Sequence, residues 1–391
     1  MPFRFLTAGE SHGPALTTIV EGLPSGVPVA RAAIDRELRR RMGGYGRGGR
    51  MAIESDTVEL LGGVRHGRTL GSPVSLLIRN RDHANWSEVM ATEGAPPEGG
   101  AARAITRPRP GHADLAGALK YGTYDARDIL ERASARETAA RVAAGALAKA
   151  LLDTARIHVT SRTLAVGAAV AAPDEGDDLD AVFALADDLP MRSPRTATIE
   201  AMIRAVDDAR RAGDSVGGSF EIIARGVPPG LGSHVHWDRR LDARLGGAVL
   251  SIQAVKAVSI GGGIEVAAGG GRAAHDAIAY DAVGRRFARG TNRAGGIEGG
   301  ITNGEPVRLT AWLKPLATIP RALPSADLVT KEAFVADVER TDTIPIVAAG
   351  VVGEAMLAIV LADALLEKLG GDSVAELRAN LDAYEARLRA Y

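Results

Sequence analysis

Near the start of the chain, Gly9-Glu10-Ser11-His12-Gly13 sets a hydroxyl beside an imidazole between glycines and formally satisfies G-x-S-x-G, the nucleophile elbow of serine hydrolases. An elbow needs a strand, a sharp turn and a helix. Residues 3–8 and Ala15–Glu21 both read as strands, so the competing reading is a turn whose histidine caps local backbone. Covalent labelling of Ser11 by a fluorophosphonate separates the two. Farther on, Arg39, Arg40, Arg41, Arg47 and Arg50 alternate with five glycines and Tyr45. Such a stretch either grips single-stranded nucleic acid through charge and stacking, or converges its planar guanidinium forks on phosphate and carboxylate groups. The first reading predicts steeply salt-dependent retention of oligonucleotides.

Other stretches supply more groups of the same kind. Arg107-Pro108-Arg109-Pro110-Gly111-His112-Ala113-Asp114 makes a rigid turn just before a histidine, and Arg132, Ser134 and Arg136 surround a helix start, where free N–H groups favour anions. Gly295–Gly304 and the run Lys314-Pro315-Leu316-Ala317-Thr318 offer glycines, a cation and a hydroxyl suited to cradling a phosphate or a ring. Neither is a Walker loop or a dinucleotide fingerprint. Arg340-Thr341-Asp342 brings a carboxylate next to a guanidinium, which by itself is an ordinary ion pair. On a strand, His234 and His236 would share one face, but no third metal ligand accompanies them; His66, His83, His158 and His275 read as structural.

The elements that must position these groups are legible in part. Ile34 and Leu38 predict an amphipathic helix over 29–41 ending near Gly43-Gly44. Ser134 and Glu137 spell a capping box that opens a helix over 134–154. Ile199, Met202, Ile203 and Val206 predict another helix, stopped by Gly213, with a strand at 219–225 after it. Residues 347–369 are apolar on nearly every face yet carry Glu354, Asp363 and Glu367, which suits a buried helix and not a membrane span. Ser373 and Glu376 form a second capping box before a polar final helix, and 171–188 reads as an acidic loop. No linker or repeat divides the 391 residues, so one domain over 1–391 is expected.

Composition limits the chemistry. The chain has no cysteine, which excludes disulfides and thiolate catalysis and suits a cytoplasmic protein. A net charge of −1 speaks against bulk attraction to nucleic acid or anionic membranes. The 47 glycines exceed the usual share of roughly 7%, which points to tight turns and close approach of backbone to a ligand.

Taken in order, GESHG, RRRMGGYGRGGRM, RPRPGHAD, ERASARET, GGIEGGITNG, KPLAT and RTD resemble the motifs of the chorismate synthase family over nearly the whole chain. The resemblance implies an α+β fold, a single-domain β-α-β sandwich with long helices between antiparallel sheets, assembled as a homotetramer. It implies an anti 1,4-elimination of phosphate and a C6 hydrogen from 5-enolpyruvylshikimate 3-phosphate, giving chorismate, with reduced FMN required but not consumed. The reducing equivalents would come either from NADPH used by the chain itself or from an external flavin reductase.

By the same resemblance Arg41, Arg47, Arg50, Arg109, Arg136 and Arg340 would hold substrate anions. Arg132, Ala133, Ser134, Gln253, Ala254, Gly299, Lys314, Pro315, Leu316, Ala317, Thr318 and Arg340 would hold FMN. His12 would give a proton to the leaving phosphate, His112 would supply one to the flavin near N1, Asp342 would help take the N5 proton, and Ser11 and Ser134 would relay or orient protons. Substrate and cofactor together bring about six negative charges, which explains so many arginines, since unpaired charges are prohibitive to bury. Thr341 stands where the family usually has serine, and Ala317 where a hydroxyl is common.

Overall fold

The computed structural model describes residues 2–48, 55–94, 104–172, 178–337 and 341–391. Two antiparallel sheets and a set of long helices make up its core. In the first sheet the strands run in the order Arg4–Ala8, Ala15–Glu21, Val74–Arg79, Val58–Gly62. Leu16, Thr18 and Val20 alternate inward with Thr17 and Ile19 outward, as one-sided burial requires. The second sheet runs Val255–Ile260, Val307–Leu313, Gly218–Arg225, His158–Val166, Ala169–Val170, again antiparallel throughout.

Helices α1 (Arg31–Met42), α2 (Asp114–Tyr121), α3 (Arg127–Ala133) and α4 (Thr138–Thr154) carry or adjoin most of the motifs rich in arginine and histidine. With them comes a long helix, Ile346–Leu369, buried almost all round. The α4 helix packs on the first sheet, the long helix packs on the second, and the two helices pack on each other, with α1 against both. Small residues make that approach possible. A Cβ on Gly145 of α4 would lie 2.3 Å from Cβ of Ala355 and 2.5 Å from its Cα, so the helices meet almost backbone to backbone. By length and composition Ile346–Leu369 could cross a membrane, but 94% of its apolar window is packed inside the fold.

Two local readings are corrected. Ser134 caps a 3-10 turn, Ala135–Glu137, by accepting the Arg136 N–H at 3.3 Å, and the α-helix starts only at Thr138. Glu137 does not reach back to form the box because Thr7 Oγ1 (2.9 Å) and Arg141 Nε (2.8 Å) occupy its carboxylate. Nor do residues 234–236 form a strand; His236 Nδ1 instead hydrogen-bonds Asp238 at 2.7 Å within a bend that precedes a 3-10 turn. The second capping box is formed in both directions. Within 171–188, Leu179–Phe183 is a short helix capped by Asp178, and residues 173–177 lie outside the described ones.

Candidate active site

Gly9–Gly13 links two neighbouring antiparallel strands, so the strand–turn–helix of a nucleophile elbow is missing. The loop is instead pinned from outside. Asn80 donates to the carbonyls of Glu10 (3.0 Å) and Gly13 (2.8 Å), and α3 holds Ser11 and His12 through Glu131. This loop forms one wall of a cavity of about 410 Å³. Ends of other elements close the rest: the Gly43–Gly48 turn after α1, the 109–113 turn before α2, the start of α4, residues 252–254, residues 313–318, and residues 341–345 leading into the long helix.

Basic groups crowd this space. Arg41, Arg47, Arg109, Arg136 and Lys314 all line it, and Arg41, Arg109 and Arg136 are only 5%, 8% and 5% exposed. Arg41 reaches from the last turn of α1 to Thr138 Oγ1 and the Ala135 carbonyl, both at 2.8 Å. Its Nη1 is buried without a hydrogen-bond partner among the described residues, 3.6 Å from Asp56. Burial pushes the Arg41 guanidinium down to about 9; Asp56 opposes that shift, and the neighbouring charges of Arg136 and Arg47 add to it. Arg136 is held by Asp56 at 2.6 and 2.7 Å and by Asn80 at 3.0 Å. A positive field of this kind is stabilised by added anions.

Arg47 pairs with Asp342 at 3.0 Å, and the Gly48 N–H donates to the same carboxylate at 2.6 Å. Burial lowers the Arg47 guanidinium, Asp342 opposing. Gly48 permits this contact: a Cβ there would stand 2.5 Å from the Thr341 carbonyl oxygen. Lys314 Nζ reaches the Gly111 carbonyl at 3.1 Å, and burial followed by repulsion from Lys256 lowers its ammonium below the ordinary lysine range.

Both histidines stand on buried carboxylates. His12 Nδ1 lies 2.8 Å from Glu131, and His112 Nδ1 lies 2.5 Å from Asp114. Each carboxylate also receives an arginine, Arg127 at 3.0 Å on Glu131 and Arg109 at 2.8 Å on Asp114. Burial alone would raise Asp114, yet the hydrogen bonds from His112 and Arg109 hold it well below the usual carboxylate range. An ionised acceptor at that distance fixes the proton on Nδ1 of the histidine and leaves Nε2 for exchange. Arg109 Nη2, 3.1 Å from the same Nδ1, donates instead to Asp114 Oδ1 at 3.1 Å, and its Nη1 donates to Thr318 Oγ1 at 3.0 Å.

Ser11, Ala133, Ser134, Gln253, Ala254, Leu316, Ala317 and Thr318 also line the cavity. Three expected residues do not. Arg132 points away to Thr7 and the Gly9 carbonyl and edges a second cavity, while Pro315 and Gly299 are absent from the walls of the first. Arg50 and Arg340 lie outside the described residues. Glu131, Asp114, Asp56 and Thr138 were not singled out from sequence as site residues; only the position of Asp114 two residues after His112 signals a partner.

The model of the chorismate synthase family matches residues 3–366. The chain is 52% identical over 388 residues to a chorismate synthase of Solibacter usitatus, covering 99% of this chain and 100% of the relative. It is 54% identical over 391 residues to one of Micrococcus luteus, covering 99% and 95%. A crystal structure of chorismate synthase superposes with a TM-score of 0.80 at 40% identity, over 100% of this chain and 99% of that one.

Proposed function

The chain belongs to the chorismate synthase family of carbon–oxygen lyases, and from that premise we propose that the cavity converts 5-enolpyruvylshikimate 3-phosphate to chorismate with reduced FMN. The observation that carries the reading is the convergence of Arg41, Arg47, Arg109, Arg136 and Lys314 with two carboxylate-backed histidines on one cavity. In the reaction the C3–O bond breaks with its electron pair on the departing phosphate, the C1–C2 double bond shifts to C2–C3, and the C6–H bond breaks on the opposite face, its hydrogen leaving as a proton and its electron pair forming the C1–C6 double bond.

The residues present suit a flavin. Leu313, Leu316, Ile252, Ala348, Ala349 and Val352 supply an apolar wall for a ring, and Gln253 Oε1 is a buried acceptor with no donor among the described residues. A ring N–H is the chemistry it lacks. Gln253, Ala254, Ala133, Ser134, Lys314 and the 316–318 backbone would hold the cofactor, with Arg132, Pro315, Gly299 and Arg340 assigned by the resemblance alone. Reduced FMN, when bound, supplies transient electron density to the allylic system and is regained, so there is no net redox change.

The chain's own groups bind, orient and move protons. Arg41, Arg47, Arg109 and Arg136, joined by Arg50 and Arg340 on the resemblance alone, neutralise phosphate and carboxylates. His12 gives its Nε2 proton to the leaving phosphate, His112 and Asp342 hold the exchangeable protons on the cofactor side, and Ser11 and Ser134 relay or orient these protons. The same reading makes the chain one domain over 1–391, a β-α-β sandwich, and a cytoplasmic homotetramer. NADPH or a separate flavin reductase would supply the reduced flavin.

The test is anaerobic turnover of the substrate with photoreduced FMN, following chorismate absorbance and phosphate together, against an oxidised-FMN control. Equal amounts of both products over many turnovers, only with reduced flavin, are expected. Absence of both products although flavin and substrate bind would overturn the assignment.

A further inference from the structure

The proposed reaction needs one particular nitrogen of His12 to meet the phosphate, and the surroundings of the ring decide which. Three donors converge on the Glu131 carboxylate: His12 Nδ1 and Arg127 Nη1 on Oε1, at 2.8 and 3.0 Å, and the His12 backbone N–H on Oε2 at 2.8 Å. The Glu131 carbonyl takes the Ser11 N–H at 3.0 Å. One residue thus grips the reacting loop by its backbone and by its imidazole. Burial alone would raise the Glu131 carboxyl, but the hydrogen bond and charge of His12, followed by the charge of Arg127, keep it below the ordinary range, so it acts as an acceptor only.

Among the described residues Glu131 is the one partner of Nδ1. Asp82 lies 4.0 Å from Nε2, beyond hydrogen-bond reach. Trp86 packs against the ring with centroids 4.3 Å apart, and the Arg127 guanidinium stands 4.8 Å from the Trp86 ring centroid. His83 Nδ1 holds the His12 carbonyl at 2.9 Å. Among the described residues the ring is therefore fixed by its Nδ1 edge, by a face and by its backbone, and its Nε2 edge is left for chemistry.

We propose that Glu131 is a positioning residue for the elimination: by keeping the Nδ1 proton of His12 it commits Nε2 to the proton exchange with the leaving phosphate. This rests on the function proposed above. Glu131→Gln probes it because a carboxamide has one acceptor and one NH₂, and each oxygen of Glu131 now faces a donor. With the NH₂ toward the ring, Nδ1 must accept and the proton moves to Nε2. With the NH₂ toward the backbone, the loop N–H loses its partner. Either way the imidazolium loses its nearer counter-charge, leaving the Asp82 carboxylate 4.0 Å from Nε2.

The experiment pairs turnover with ¹⁵N NMR of the full-length chain labelled on histidine, His12→Asn providing the assignment. In the wild type at alkaline pH, His12 is expected as the Nδ1–H tautomer; in Glu131→Gln, Nε2–H gains. The variant's kcat is expected to fall about 100-fold or more while KM stays within about threefold, and the pH above which kcat declines moves lower. Glu131→Asp, which keeps the charge, recovers part of kcat. An Nε2–H wild-type tautomer, or a Glu131→Gln variant retaining kcat within about threefold, would overturn the proposal. A wild type without any turnover would overturn the proposed function instead, and the tautomer, read without substrate, tells the two failures apart.

Discussion

Asp114 accepts the Nδ1 proton of His112 at 2.5 Å while Arg109 donates to it through Nε, Nη2 and its backbone N–H, which welds the 109–114 turn to the start of α2. This carboxyl titrates below its ordinary value despite burial, held there by His112 and Arg109. A lowered folded value means that the stabilisation is complete above the unfolded carboxylate range and is lost as pH falls. Acidification from about pH 5 downward should therefore cost stability, with Asp114 contributing from about pH 4 down. In Asp114→Asn the melting temperature at pH 7 should drop and its decline between pH 5 and 3 should be shallower than in the wild type. Parallel slopes in scanning calorimetry would remove Asp114 from the acid response.

Asp56 is the counter-charge of the basic cluster, bidentate on Arg136 and 3.6 Å from Arg41. Asp56→Ala leaves two buried guanidiniums facing each other, a change that costs about 3–5 kcal/mol for a broken buried pair. Phosphate or sulfate entering the cavity would replace the missing charge. The variant should thus melt far below the wild type in chloride buffer and regain more of its melting temperature than the wild type on adding millimolar phosphate. Equal shifts for both proteins would refute the idea that the cluster is an anion site.

What sequence could show and what it could not divide along a physical line. Elements governed by local periodicity were legible: Ala15–Glu21 is the strand expected, and the apolar run at 347–369 is the buried helix Ile346–Leu369. The basic and imidazole groups of the cavity were also visible, because they recur in short motifs with glycine and proline. Of their carboxylate partners, Asp342 and Asp114 lie within those motifs, but Glu131 and Asp56 were not visible as partners. Glu131 meets His12 across 119 positions and Asp56 meets Arg136 across 80, and no spacing rule connects such pairs before the fold exists. The failed capping box at Ser134 has the same cause, since Thr7, far away in sequence, claims the Glu137 side chain.

Gly145 offers a test of the helix packing that carries the cavity. In an isolated helix alanine outdoes glycine by about 1 kcal/mol. Here the new methyl would sit 2.5 Å from the Cα of Ala355, so the α4 and long-helix backbones must separate. Gly145→Ala is expected to destabilise by about 1–3 kcal/mol in urea unfolding, against its propensity. A stabilised variant would mean that the two helices give way freely.

Glu354 sits in the middle of the long helix at 0% exposure, and its carboxylate is shared among Arg40 (2.7 and 2.8 Å), Lys149 (2.6 Å) and Ser161 (2.6 Å). Burial would raise it, but the charges of Lys149 and Arg40 and the Arg40 hydrogen bonds hold it well below its ordinary range. Arg40 adjoins Arg41 on α1, and Val352 on the long helix lines the cavity, so this network ties the three helices behind the site. Glu354→Gln leaves Arg40 and Lys149 beside a neutral amide with Glu37 still accepting from both, and should cost about 1–3 kcal/mol. Its kcat, measured well below the lowered melting temperature, should stay within about threefold of the wild type, since the carboxylate touches no cavity-lining group. A variant that keeps its stability but loses turnover would move Glu354 from the scaffold into the reaction.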